Sequence, residues 1–384
     1  MPTQKNLHSI QGLRGIAASL VVFCHATQYI DNFLPVSMER IVGTHFGMFG
    51  VDIFFVISGF IMVYICTNNF GNHRAVIPFI TRRALRIFPV YWLVLLITLT
   101  IIIPSGWYAC AMLAKQQNVI QATHHSSYIL KNFLLIPGNI NPIVAVSWTL
   151  FFEMFFYYVF GALLFFNRNI YLPVLCTLFP CLVIAKLAHF HAAYPFSAFV
   201  DYYGNDMILE FIFGCFIAEQ YIAGKLLQTN VAILILFGCL LAIALSYHGN
   251  FMPELTAIQI ESLKYGLPSA GIVLSVLSLE INGALSMPKF LIALGESSYS
   301  IYLTHLSIFL VLLIVGLKWL TQFIFISGNQ AALAAWILCL LFGHVFYLYI
   351  EKPIARWLRE RMPNTIPFTN IPVFSLKAAR DAVS

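Results

Sequence analysis

Arg14 and His25 lie in one long apolar run near the N-terminus. Ionisable groups inside such runs are costly in lipid and mark cavities or sites. The two are 11 residues apart, about three helical turns, so both leave the same face with ~16 Å of rise between them. One acid, Asp52, heads the next apolar run, and another, Glu153, sits inside a later one. Imidazole is the common general base near neutral pH, and a nearby carboxylate orients the ring and stabilises its cation. A structural role competes with this reading. A single intramembrane histidine also serves as a hydrogen-bonding link between helices, and Arg14 can snorkel to the headgroups.

A second group comprises Arg74, Arg82, Arg83 and Arg86. Arg83 and Arg86 are three residues apart and share a helical face, with Arg82 offset. Guanidinium forks match phosphate oxygens, and Arg14 approaches from the same side, which suits a polyphosphate ligand entering from the cytoplasm. The same cluster also reads as a positive-inside anchor. Both readings stand on these residues alone.

The composition says what must position these groups. Of 384 residues, 60% are hydrophobic and only 9% charged, against roughly 25% charged in soluble domains. With 35 Phe and 18 Tyr the chain is not a disordered one either. Continuous apolar runs fall near 9–30, 49–66, 83–103, 147–166, 170–188, 207–223, 230–247, 266–281, 298–320 and 331–350. Each approaches the ~20 residues that cross a bilayer, whereas barrel strands would alternate over ~10. The expectation is an all-α polytopic membrane protein of about ten transmembrane helices, with one domain over 1–353 and a short basic tail over 354–384. Arg14 interrupts the first run and no small-residue cleavage site follows, so mature and precursor chains are expected to be the same.

Orientation follows from the loops. A cytoplasmic N-terminus leaves only Arg40, Lys115, Lys131, Lys186, Lys264 and Lys318 outside, so both termini are expected in the cytoplasm. The second and fourth runs then point inward, which brings His25, Asp52 and Glu153 to similar depth on three different helices. The net charge of +6 comes from short loops and is no nucleic-acid signature. The 8 Cys are scattered without metal-ligand or disulfide spacing and read as small core residues.

Ile10-Gln11-Gly12-Leu13-Arg14-Gly15-Ile16-Ala17-Ala18 followed by His25 resembles the first helix of acyltransferase family three, integral membrane enzymes that O-acylate bacterial surface carbohydrates and some small molecules. Gly50 to Phe60 with Asp52, Arg82-Arg83-Ala84-Leu85-Arg86-Ile87-Phe88-Pro89, and Ser147-Trp148-Thr149-Leu150 through Glu153 to Tyr157 resemble its second, third and fourth helices. Gly295 through Ser298-Tyr299-Ser300-Ile301-Tyr302-Leu303-Thr304-His305 resembles a late helix, and Tyr347 with Glu351-Lys352-Pro353 its end. The match covers about residues 8–353, and the N-terminal wording looks like that of stand-alone exopolysaccharide acetyltransferases.

The resemblance implies acetyl-CoA as donor, a carbohydrate acceptor (lipid-linked acceptors included), no metal and no nucleic acid, and residence in the bacterial inner membrane. It implies His25 as the essential histidine, Glu153 as its acid with Asp52 beside it, and Arg14, Arg83 and Arg86 as the residues for the coenzyme's phosphates. His305 and Tyr302 are implied as lining the substrate site. Glu351 reads as an inter-helix ion-pair partner, and Glu210, Glu219, Asp201 and Asp206 as interface or rim residues. His124, His125, His189 and His191 fall in outer loops that meet solvent or acceptor. The alternative class is a proton-coupled transporter of a sugar or small metabolite, with His, Asp and Glu forming a relay. Against it, the chain shows neither an inverted repeat nor paired broken helices.

Overall fold

The computed structural model describes residues 7–33, 47–104, 117–138, 140–188, 196–247, 262–306, 316 and 328–361. Among the described residues the chain is helical throughout, with no strand. The elements are α1 (His8–Phe33), α2 (Phe49–Cys66), α3 (His73–Ile97), α4 (Gln117–Ala122), α5 (Ser126–Phe133), α6 (Trp148–Leu163), α7 (Arg168–Leu187), α8 (Phe196–Tyr203), α9 (Leu209–Ile222), α10 (Thr229–Tyr247), α11 (Leu267–Ile281), α12 (Lys289–Glu296), α13 (Ser298–Thr304), α14 (Gly328–Phe346) and α15 (Lys352–Arg361). Eight described segments are long and apolar enough to cross a membrane. The run expected near 207–223 is a 3₁₀ turn at Asp206–Ile208 leading into α9. Most of the run expected near 298–320 lies outside the described residues beyond Leu306, as does the tail beyond Arg361.

The third run begins earlier than its apolar content suggests. Asn72, in extended backbone, accepts a hydrogen bond from the Arg74 amide and so caps α3 at His73. Arg83 therefore sits ten residues into the helix, about 15 Å from its start, and not at the mouth of the span. Hydropathy hides this because the first turns of α3 carry several arginines.

α1 is first in sequence but central in space, packed against α2, α11, α12, α13 and α14. Small residues permit the closest approaches, as they do between helices in lipid. On the α1–α12 contact, a Cβ at Gly295 would come within 1.9 Å of the Gln11 carbonyl. On the α2–α9 contact, a Cβ at Gly59 would come within 2.0 Å of the Phe211 carbonyl and one at Gly214 within 1.9 Å of the Val56 carbonyl.

The N-terminus of α1 is held from far away in sequence. Glu280, at the end of α11, accepts from the His8 amide at 2.9 Å, the Ser9 amide at 3.1 Å and the Ser9 hydroxyl at 2.5 Å. A carboxylate there satisfies orphan amides and complements the helix dipole. Glu280→Ala is expected to lower stability by about 1–2 kcal/mol, read as thermal unfolding in detergent, with Glu280→Gln losing less because one acceptor remains.

The segment between α5 and α6 is latched onto α3. Buried Asn132 donates to the Tyr128 carbonyl and accepts from the Ile143 amide, at 3.0 and 2.9 Å. Tyr91 and Trp92 of α3 donate to the carbonyls of Asn132 and Phe133, at 2.8 and 2.9 Å. Leu135, in the turn that follows α5, takes φ 53°, a left-handed conformation that costs a non-glycine residue of order 1 kcal/mol or more. The latch sets where Val146, Ser147 and the start of α6 lie.

Candidate active site

A cavity opens among α1, α2, α3, α6 and α13. Its polar lining is Arg14, Arg86, Glu153, Tyr157, Tyr299 and Tyr302, with Ser58, Thr149 and Ser298, and its apolar wall is mainly α2. Arg14 and Arg86 thus come from helices far apart in sequence to one chamber. The carboxylates facing them are Glu153 on α6 and Glu351 at the end of the π-helical turn after α14. Glu153 accepts a hydrogen bond from Tyr157, one turn on along α6. Glu351 accepts from the Ser300 hydroxyl at 2.5 Å. The chamber lining therefore holds both cationic and anionic groups, Arg14 and Arg86 with Glu153.

Arg83 sits behind the chamber wall. It is 1% exposed and its two terminal nitrogens have no hydrogen-bond partner. Its guanidinium stands over the rings of Phe79 and Tyr157, 5.9 and 5.6 Å from their centroids, a cation–π arrangement that partly offsets desolvation. It adjoins the chamber through Tyr157, whose hydroxyl holds Glu153.

His25 meets His305. The Nδ1 of His25 lies 2.8 Å from the Nε2 of His305, with ring centroids 5.1 Å apart and ring planes 18° apart. His305 is 1% exposed, and its Nδ1 faces the carbonyls of Tyr302 and Ile301 at 2.7 and 3.2 Å. It adjoins the chamber through Tyr302, whose ring lies 5.9 Å away and whose hydroxyl is 3.1 Å from the Thr149 hydroxyl.

The short helix α13 organises both regions. Tyr299 donates to the Ile87 carbonyl of α3 at 2.7 Å, Ser300 to Glu351, Tyr302 to the Val146 carbonyl at 3.3 Å, and His305 meets α1. Four neighbours are thereby fixed by one turn and a half of chain.

Of the residues singled out in the sequence, Arg14, Arg86, Glu153 and Tyr302 share the chamber lining, and His25 joins His305 beside it. Asp52 is buried in the first turn of α2, next to the chamber residue Val51. Glu153 lies with the arginines in the lining, of which His25 and Asp52 are not part. Glu219 pairs with Arg168 at 2.7 Å, Asp206 accepts from the Ser262 amide at 2.6 Å, and Glu210 is fully buried. His124 and His125 are exposed, while His189 and His191 lie outside the described residues. The sequence reading named Tyr157, Ser300 and Thr149 only within motifs and gave them no role. The Glu153–Tyr157 spacing of one helical turn was a usable signal for the first; the other two needed the lateral packing.

Fold and site together define a multi-pass membrane protein with a charge-lined internal chamber. The profile of the Acyltransferase domain family matches residues 7–359, nearly the whole chain, and the chain belongs to this family, acyltransferase family three. It is 35% identical over 333 residues to the exopolysaccharide production protein ExoZ of Rhizobium meliloti (strain 1021), covering 83% of this chain and 93% of that protein. It is 23% identical over 390 residues to the acyltransferase MdmB of Streptomyces mycarofaciens, covering 94% and 95%. No solved structure matches the chain significantly.

Proposed function

We propose that this membrane acyltransferase moves an acetyl group from cytoplasmic acetyl-CoA to a hydroxyl of a surface carbohydrate, from the inner membrane of a bacterium with both termini in the cytoplasm. The observation that carries the reading is the chamber itself, with Arg14 and Arg86 in its lining and the His25–His305 pair adjoining it through Tyr302. Arg14 and Arg86 hold phosphates of the donor, with Arg83 adding charge from behind Tyr157. A pantetheine arm then covers the ~16 Å of rise between Arg14 and His25 on the same helix. His25 takes the proton of the acceptor hydroxyl as its oxygen attacks the thioester carbonyl. The carbon–sulfur bond breaks, the leaving thiolate receives that proton, and the products are the acetyl ester and CoA thiol.

Glu153, held by Tyr157, sits opposite the arginines. In this arrangement it orients the guanidinium groups, and Asp52 supports the outer end of α2. Membership of the family and likeness to an exopolysaccharide production protein favour transfer over transport. The test is purified protein in detergent with acetyl-CoA, with and without oligosaccharide. Slow release of CoA thiol, accelerated by acceptor and matched by acetyl on the sugar, is the expected result. Uptake of labelled sugar into vesicles without thiol release would overturn the reading in favour of a transporter.

A further inference from the structure

We propose that His305 is the positioning residue that fixes the tautomer of His25, the role that the sequence alone gave to an acid. This rests on the acyl-transfer reading for its consequence, though not for its geometry. The argument is one of hydrogen-bond bookkeeping. A carbonyl oxygen only accepts, and the Nδ1 of His305 faces two of them, at 2.7 and 3.2 Å. That nitrogen carries the hydrogen, so in the neutral ring Nε2 carries the lone pair. At 2.8 Å the lone pair accepts from the Nδ1–H of His25. The basic nitrogen of His25 is then Nε2, the one turned away from His305.

The two carbonyls thus dictate, through two rings, which nitrogen of His25 takes a proton. They come from the same turn that carries His305, so the backbone of α13 sets the register. When His25 becomes imidazolium during transfer, its Nδ1–H keeps a neutral acceptor at hydrogen-bond distance. The arrangement is a base with an orienting third party, in which an imidazole replaces the more familiar carboxylate. Burial of His305 at 1% exposed keeps water from competing for the bond.

The experiment combines spectroscopy with kinetics. Nitrogen-15 spectra of histidine-labelled protein distinguish Nδ1–H from Nε2–H rings, with His25 assigned by its loss in His25→Ala. The expected wild-type spectrum has both His25 and His305 protonated on Nδ1. His305→Leu is expected to leave His25 as a mixture of tautomers and to lower kcat by about 100-fold or more, with the KM for acetyl-CoA within about twofold. His305→Gln offers an amide oxygen to the same Nδ1–H and is expected to recover at least about tenfold of that loss together with the wild-type tautomer. A wild-type His25 protonated on Nε2 overturns the proposal, and so does a His305→Leu enzyme retaining more than about a third of wild-type kcat. If no acceptor supports transfer, the functional reading fails, and the spectra of wild type and His305→Gln still decide the tautomer. If His305→Leu does not fold, those two proteins decide it as well.

Discussion

Replacing His25 with alanine is expected to cut acyl transfer by about 10²–10⁴-fold while acetyl-CoA binds with nearly wild-type affinity. The base acts on the acceptor proton, an event of the transition state, so its loss falls on kcat and spares ground-state donor binding. Arg14, one of the arginines proposed to hold the donor, sits about three turns away on the same helix. The structural cost is smaller. The hydrogen bond to His305 is lost, and leaving that buried acceptor unpaired costs about 1–3 kcal/mol. Calorimetric CoA binding, detergent melting and transfer rate on a single preparation separate the outcomes. A folded variant working at more than about a tenth of the normal rate has lost less than ~1.4 kcal/mol of transition-state stabilisation, and His25 is then not the base. Collapse of melting temperature and donor binding together assigns it to the scaffold.

The second large effect concerns Arg86 and Arg83, two arginines of α3 that the structure sets apart. Arg86→Gln removes a charged group from the chamber lining and is expected to cost about 1.5–3 kcal/mol of donor binding, or roughly 10- to 150-fold in Kd. Arg83→Met removes a cation that is 1% exposed and has no hydrogen-bond partner for its terminal nitrogens. Replacing a buried ion by an apolar side chain of similar volume is often neutral or stabilising, by up to about 4 kcal/mol. Arg83→Met is therefore expected to melt at the same or a higher temperature while binding the donor more weakly. Unchanged donor affinity in both variants would reduce the pair to helix anchors. A large fall in melting temperature for Arg83→Met would show that the Phe79 and Tyr157 rings satisfy the cation fully.

Much of this was legible in the sequence, and the missing part has a common physical cause. Long apolar runs announce helices because a bilayer demands them, so α2, α6, α7, α10 and α14 fall near their expected places. The start of α3 was missed because Arg74, Arg82 and Arg83 depress hydropathy where the helix has already begun under the Asn72 cap. The sequence reading named candidate site residues and matched three of them by depth. Depth is only one coordinate. Which side chains become lateral neighbours depends on packing faces set by residues such as Gly59, Gly214 and Gly295, and spacing along one helix carries no information about that. Depth alone suggested Glu153 beside His25; packing adds that Glu153 lines one chamber with Arg14 and Arg86 and that His25 meets His305.

The contacts that complete α1 are made by some of the last parts of the bundle to be synthesised. His25 and His305 are 280 residues apart, and Ser9 and Glu280 are 271 apart. At ~5–20 residues per second, roughly 15–60 s pass between translation of one histidine and translation of the other. Through that interval the first helix is already in the bilayer or its insertion machinery, exposing Arg14 and the glycine-bearing face that will receive α12. On the proposed mechanism, a ribosome-bound nascent chain that stops short of α13 lacks the imidazole that orients His25. The long-range pairing of the two rings then ties transfer to the end of synthesis.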